Sequence, residues 1–174
     1  MEQWDIYDKY RIKTGKVVPR GSKLPADEFH LVVHVAIINS KNQLLIQQRQ
    51  PFKKGWPNMW DITIGGSVES GENSHEAAQR ELFEEIGYAH DFTNMRPSFT
   101  INFQRGFDDY YIVKAEVDLN KLTLQESEVQ AVKWATKEEI IEMIHRKEFI
   151  SYHLSIISLL FDMKDQLGIF SSCE

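Results

Sequence analysis

Hydrophobic residues fall in two rhythms along this chain, one with the period of a strand and one with that of a helix. His30–Ile38, HLVVHVAII, is apolar nearly throughout, as expected of a strand buried on both faces. A Ser40-Lys41-Asn42 turn leads into Gln43–Arg49, QLLIQQR, a second strand. Phe99, Ile101 and Phe103 alternate with Thr100, Asn102 and Gln104, which predicts a half-buried strand; residues 105–108 turn it and residues 110–117 return. Residues 61–64 and 129–134 read as shorter strands. The helical rhythm is clearest at Ala78, Leu82 and Ile86, spaced i, i+4 and i+8 on one packing face. Its entry is marked by Asn73 and Glu76, three apart as in a capping box with Asn in place of Ser or Thr, and its exit by Gly87. Thr136 and Glu139 form a T-x-x-E box that opens a short helix. Ile150, Leu154, Ile157 and Phe161 predict a terminal amphipathic helix over about residues 149–166, with Gly168 beyond it.

Residues 1–29 read as an N-terminal hairpin and lead-in, with residues 30–174 as the main domain of a single compact unit. In the opening strand Trp4, Ile6 and Asp8 share one face and Asp5 and Tyr7 the other; Thr14-Gly15 is expected to turn the chain and Lys16-Val17-Val18 to return it. Residues 50–60, QPFKKGWPNMW, form a loop broken by Pro51, Gly55 and Pro57. His30 and His34, four apart on a strand, face the same way but lie about 13 Å apart, too far to share a metal. They are read as structural or edge histidines.

Composition narrows the picture. At 174 residues the chain is long enough for a sizeable core, and one domain is the natural expectation. A net charge of −6 argues against broad nucleic-acid or membrane-surface binding. The single cysteine, Cys173, makes no internal disulfide and, near the end of the chain, is not expected to be catalytic. The opening MEQWDIYDKY lacks the basic segment and apolar run of a signal peptide, and no stretch reaches a membrane-span length, so a cytoplasmic location is expected.

The candidate chemistry lies in the helix. Glu81, Glu84 and Glu85 fall within an arc of roughly 100° on one face. Like charges at this spacing repel, and a solvated acidic face is the plain alternative. Their company points further: a glycine-rich loop precedes the helix, Glu72 ends that loop, and Arg80 stands beside the first carboxylate. Hard divalent cations take oxygen ligands and keep water or substrate phosphates in their remaining positions. Arg49, Lys53 and Lys54, in or beside the 50–60 loop, are the concentrated cations that could receive phosphates, against a plain reading as solvated side chains. Trp56 and Trp60 are either core anchors or a stacking surface, core being favoured for Trp60. Phe103, Phe107, Tyr110 and Tyr111 are by default core or sheet surface, with Phe103 a candidate substrate contact.

The stretch 66–88, GSVESGENSHEAAQRELFEEIGY, resembles the Nudix box, G-x5-E-x7-R-E-U-x-E-E-x-G-U, where U is bulky and apolar. Gly66, Glu72, Arg80, Glu81, Leu82, Glu84, Glu85 and Gly87 stand at the required spacing, and Tyr88 fills the last position as a mildly polar substitute. The resemblance implies an α/β fold, the Nudix α/β/α sandwich with a mixed central sheet, here with an N-terminal β-hairpin extension and a C-terminal helix. It also implies a hydrolase, or pyrophosphatase, that cleaves the P–O–P bond of a nucleoside diphosphate derivative or related organic diphosphate with Mg²⁺ or Mn²⁺. The implied metal ligands are Glu84, Glu85, Glu81 (directly or through water) and the main-chain carbonyl of Gly65. Gly66, Glu72, Arg80 and Gly87 would brace the site. Glu81 and Glu128 are the candidate general bases; Glu81 is preferred because Arg80 beside it supplies an orienting partner, and none is visible for Glu128. The expected partner is a small-molecule diphosphate, with no nucleic acid and no membrane; a homodimer is left open.

Residues 30–64 also resemble the type I isopentenyl-diphosphate isomerases, which share the Nudix fold; the 30–49 segment, Lys53-Lys54 and WPNMWDITIGGS carry that likeness. In those enzymes the position of Gly65 holds the catalytic cysteine and that of Ser67 a metal-binding histidine, and of their metal histidines only His30 has a counterpart here. A glycine side chain can neither give nor take the proton that isomerisation moves. The resemblance therefore favours a hydrolase from an isomerase-like branch over an isomerase, and over a non-catalytic ligand-binding module, for which an intact carboxylate set has no use.

Overall fold

A strand buried on both faces needs partners on both edges, and the computed structural model, which describes residues 1–165 with Gly168 and Phe170, supplies them. Strands β1 (Gln3–Tyr7) and β2 (Lys13–Pro19) form a separate antiparallel hairpin. In the main sheet β3 (His30–Ile38) pairs in parallel along its whole length with β8 (Gly106–Lys114), from His30 against Gly106 to Ile38 against Lys114. Its other edge is shared. At Ile38 it meets Leu44 of β4 (Gln43–Arg49), and towards its start it pairs with β6 (Ile64–Ser67). Strand β4 then continues beside β9 (Val129–Thr136) and the short β5 (Trp60–Asp61), while β7 (Phe99–Phe103) closes the far edge against β8. The sheet is mixed. Where β4 parts from β3, the end of β4 and the start of the box loop are left facing one another.

Helices cover both faces. Leu31, Val33, Val35 and Ile37 of β3 pack under α1 (Ser74–Ile86) against Ala77, Ala78, Leu82 and Ile86, all buried. Ala36 and Ile38, with Leu44 and Ile46 of β4, pack under α2 (Lys137–His145) and α3 (Leu154–Asp162), chiefly Ile140, Met143, Ile157 and Leu160. Each fully buried aliphatic side chain contributes about 2 kcal/mol, so this double layer fixes the sheet and the helix that carries the carboxylates. None of the helices among the described residues is long and apolar enough to cross a membrane.

Four local expectations are corrected. Thr14-Gly15 does not turn the hairpin: the chain reverses at residues 8–12, where the Asp8 carboxylate accepts from the amides of Tyr10 (2.9 Å) and Ile12 (3.0 Å) and Arg11 takes the left-handed φ of 64°. Residues 61–64 are not one strand but the junction of β5 and β6. Thr63 causes the break, its hydroxyl donating to the Leu45 carbonyl (2.6 Å) and accepting from the Ile37 amide (2.9 Å). The β7–β8 turn is tighter than residues 105–108, since β8 already begins at Gly106. The last helix starts at Leu154 rather than near 149, because Phe149 bridges in parallel to Trp60. The expectations for Gln166 and Cys173 lie outside the described residues.

The hairpin is bolted to the loop that enters α1. The Asp5 carboxylate accepts from the Ser70 hydroxyl (2.8 Å) and the Gly71 amide (3.0 Å), the Ser70 amide donates to the Gln3 carbonyl (2.8 Å), and Lys13 reaches the Glu72 carbonyl (3.1 Å). At its turn, Arg11 pairs with the fully buried Asp109 of β8, which also accepts from the hydroxyls of Ser74 and Thr100, both at 2.6 Å.

Candidate active site

The helix that presents the carboxylates begins as its sequence signals. Asn73 accepts from the Glu76 amide while the Glu76 carboxylate accepts from the Asn73 amide, and Gly87 closes the far end with φ 69°. Glu81 and Glu85, one turn apart, are buried, whereas the Glu84 side chain is about half exposed. Arg80 ties the stripe together. Its guanidinium grips Glu72 through two bonds (2.7 and 2.9 Å), donates to the Ser67 carbonyl (3.1 Å), and meets Glu81 (2.9 Å) and Glu84 (3.2 Å) through Nη1. Burial works to raise the Glu72 pKa, but Arg80 and the Glu69 amide overcome it and hold the carboxyl below its ordinary value.

Two glycines make the arrangement sterically possible. A Cβ on Gly66 would fall 2.2 Å from the Glu81 carboxyl, and one on Gly65 would fall 2.6 Å from the imidazole of His34. The absence of a thiol at position 65 thus has a structural counterpart. The space a cysteine side chain would need is filled by a histidine from β3.

Around these groups lies a cleft of about 670 Å³ lined by Glu81, Glu84, Glu85 and Glu128 and by Arg49, Lys53, Lys54 and the Gly65-Gly66 backbone. The predicted acidic residues and the three predicted cations are therefore brought together. Phe103 is not: it packs edge-on against His30 at the end of β7 and lines no part of the cleft. Glu128 does have an orienting partner, contrary to the expectation, because Lys53 pairs with it directly. That pairing also means Lys53 is already engaged. Gln47, with no signal in its sequence, donates to Glu85 (2.7 Å) from the neighbouring strand. Arg20 and Glu2 of the hairpin segment also reach the cleft, and local patterning gave no warning of that.

Beyond Gly65 the cleft continues into a recess of about 350 Å³ that shares Arg20, Arg49, Gly65 and Gly66 with it and is lined further by His34, Trp56, Asp61 and Tyr152. His34 donates from Nδ1 to the Asp108 carboxylate (2.6 Å) and stacks on Tyr110, while the Tyr152 hydroxyl donates to Asp61 (2.7 Å). Burial works to lower the His34 pKa, yet Asp108 raises it on balance; burial with Asp61 pushes the Tyr152 hydroxyl up. Trp56 takes a left-handed φ of 51°, rare for a bulky residue, and is half exposed over the recess. A more open hollow of about 730 Å³ beside α1, lined by His75, Glu76, Gln79, Phe83, His90 and Asp91, holds fewer carboxylates than the cleft and no run of them on one helix face.

Positive charge is lacking around the deepest carboxylate, Glu85. Burial pushes the Glu81 carboxyl up to about 7 despite Arg80, and burial with Glu81 raises Glu85 well above the carboxylate range, since its close partner, Gln47, is neutral. Among the described residues no three acidic or histidine side chains already converge as a ligand cage. Glu81 and Glu84 are held towards Arg80, and Glu85 towards Gln47. A buried carboxylate without a matching cation, Glu85, one turn from Glu81 and beside an open cleft, is a donor set that suits a hard divalent ion.

Comparison with known proteins identifies the family and the fold. Residues 28–156 match the NUDIX domain family. A Nudix hydrolase of Listeria monocytogenes is 46% identical over 169 residues, covering 97% of this chain and 99% of that protein. A crystal structure from Deinococcus radiodurans superposes with a TM-score of 0.73 at 25% identity, covering 91% of this chain and 97% of the other. The bifunctional NMN adenylyltransferase/ADP ribose pyrophosphatase of Francisella tularensis shares the fold at 20% identity, with a TM-score of 0.62 over 83% of this chain and 43% of that one.

Proposed function

The chain belongs to the Nudix family, and from that premise we propose that it is a Mg²⁺- or Mn²⁺-dependent hydrolase of a nucleoside diphosphate derivative or related organic diphosphate. The observation that carries this assignment is the cleft itself, where Glu81, Glu84, Glu85 and Glu128 face Arg49, Lys53 and Lys54. Glu81, Glu84, Glu85 and the Gly65 carbonyl would hold the metal. When bound, the ion neutralises phosphate oxygens and acidifies the attacking water. Arg80 keeps Glu81 and Glu84 in register, and Glu72 in turn fixes Arg80. Arg49 and Lys54 offset the negative charge of the substrate phosphates. Water bonds to one phosphorus, the bridging P–O bond breaks, and the bridging oxygen departs on the second phosphate. We assign the water's proton to Glu81, whose carboxyl burial pushes up to about 7, close to where a general base works best, rather than to Glu128. Isomerisation finds no support, because Gly65 offers no proton donor.

The test is a panel of nucleotide and isoprenoid diphosphates with Mg²⁺ or Mn²⁺, following phosphate release and product identity. At least one diphosphate should be cleaved, with Glu84→Gln and Glu85→Gln lowering turnover by about 10²-fold or more at a melting temperature no lower than the parent's. In the same assay Glu81→Gln should depress kcat by about 10²–10⁴-fold, far more than Glu128→Gln does. Full turnover of both Glu84→Gln and Glu85→Gln at saturating Mg²⁺ would remove the metal-site assignment.

A further inference from the structure

We propose that Arg20, which lies before the family domain, is a substrate-binding residue that grips the diphosphate where the carboxylate cleft opens into the aromatic recess. This rests on the hydrolase assignment above. The family match begins at residue 28, so Arg20 belongs to the segment that precedes it. Even so, Arg20 lines both the cleft and the recess, and among the described residues it shares that position with one other cation, Arg49. A linear diphosphate whose cleaved bond lies over Glu81 and whose organic part enters the recess must pass between them.

Two of the cleft's other cations are less free to serve. Arg80 is spread over Glu72, Glu81, Glu84 and a carbonyl, and Lys53 is paired with Glu128. Arg20 pairs with Glu2 at the rim, where both side chains are about half exposed. Ion pairs so exposed are weak and exchange readily, whereas a phosphate offers a guanidinium two oxygens in matching geometry and more charge than one carboxylate. Glu2 thus acts as a placeholder. Burial works against the charge of Arg20, but Glu2, with smaller help from Glu81 and Glu128, outweighs it and raises its pKa.

The hairpin also gives Arg20 a fixed origin. Its amide donates to the Glu2 carbonyl (2.9 Å), and the adjoining strand is clamped by Asp5 and Gln3 to Ser70 and Gly71. Those two residues sit in the loop between Gly66 and Glu72. The arginine is therefore referenced to the loop that positions the catalytic carboxylates, and the hairpin forms one wall of the active site.

The experiment compares Arg20→Gln, Arg20→Lys and Glu2→Gln in the full chain with saturating Mg²⁺. One readout is calorimetric binding of methylene diphosphonate, which resists hydrolysis; the other is steady-state kinetics on the diphosphate found by the panel. Loss of one charged contact to phosphate should weaken binding and raise KM by about 10- to 100-fold in Arg20→Gln, with kcat within about threefold of the parent. Arg20→Lys should recover part of the loss. Glu2→Gln breaks the same ion pair but frees the guanidinium, so it should bind the diphosphonate at least as tightly as the parent. If Arg20 serves only to anchor the hairpin, Arg20→Gln and Glu2→Gln should do equal harm. That result, or an Arg20→Gln affinity within twofold of the parent, overturns the proposal while leaving the hydrolase assignment standing. A parent chain that cleaves no diphosphate in the panel overturns that assignment instead.

Discussion

Gly65 and Gly66 show how much of this site depends on side chains that are missing. Each leaves room for a group from another element, His34 in one case and Glu81 in the other. Gly66→Ala should push the Glu81 carboxyl aside, lowering kcat by about 10²-fold while costing about 1–3 kcal/mol of stability, checked by kinetics and thermal melting. Gly65→Cys should restore no isomerase chemistry. Incubated with isopentenyl diphosphate, both the parent and Gly65→Cys should yield no dimethylallyl isomer, because the thiol collides with His34; formation of the isomer by either protein would overturn this account. The sequence shows that position 65 lacks a thiol, since that is a property of one residue. It does not show what fills the space, since the contact arises only when β3 and β6 pair. The same limit hid Gln47 and the Lys53 partner of Glu128, both of which come from other elements.

Among elements, α1 was the most legible, because its cap, apolar stripe and C-terminal glycine are all set within a few residues of chain. The strands His30–Ile38 and Gln43–Arg49 were equally plain from their apolar runs. The hairpin was not: Asp8 bonding two amides made a tighter reversal than Thr14-Gly15. Its attachment through Asp5 yields a pH prediction. Burial opposes ionisation of Asp5, but bonds from Lys13, Gly71 and Ser70 outweigh it and depress its pKa below 3.8. A carboxyl depressed in the folded state stabilises fully above its unfolded value and loses that contribution as pH falls through the folded one. The melting temperature of Asp5→Asn should therefore lie below that of the parent at pH 6, and the gap should narrow as pH is taken below 3.8. A gap that widens in acid would contradict the assignment.

At the scale of the whole molecule, the mixed sheet between two helical layers follows from the family resemblance, whereas the hairpin's link to the main sheet depends on a buried charge that no local pattern reveals. Asp109 is fully buried and joins the Arg11 turn, the first turn of α1 and strand β7 through three polar groups, those of Arg11, Ser74 and Thr100. Asp109→Ala strands the guanidinium and two hydroxyls at once. It should cost about 3 kcal/mol, or roughly 10 °C in melting temperature, measured on the metal-free protein.

The parallel pairing of β3 with β8 has a consequence for the newborn chain. One edge of β3 can be covered early, by β4 and β6, but its other edge waits for a partner that begins at Gly106. At ordinary elongation rates, the ribosome needs roughly 4–15 s to reach that partner after making His30. For that interval a nine-residue apolar strand presents an open ladder of amides and carbonyls. Aggregation and chaperone capture compete with folding during this interval, and each slowing of translation between the two strands lengthens it.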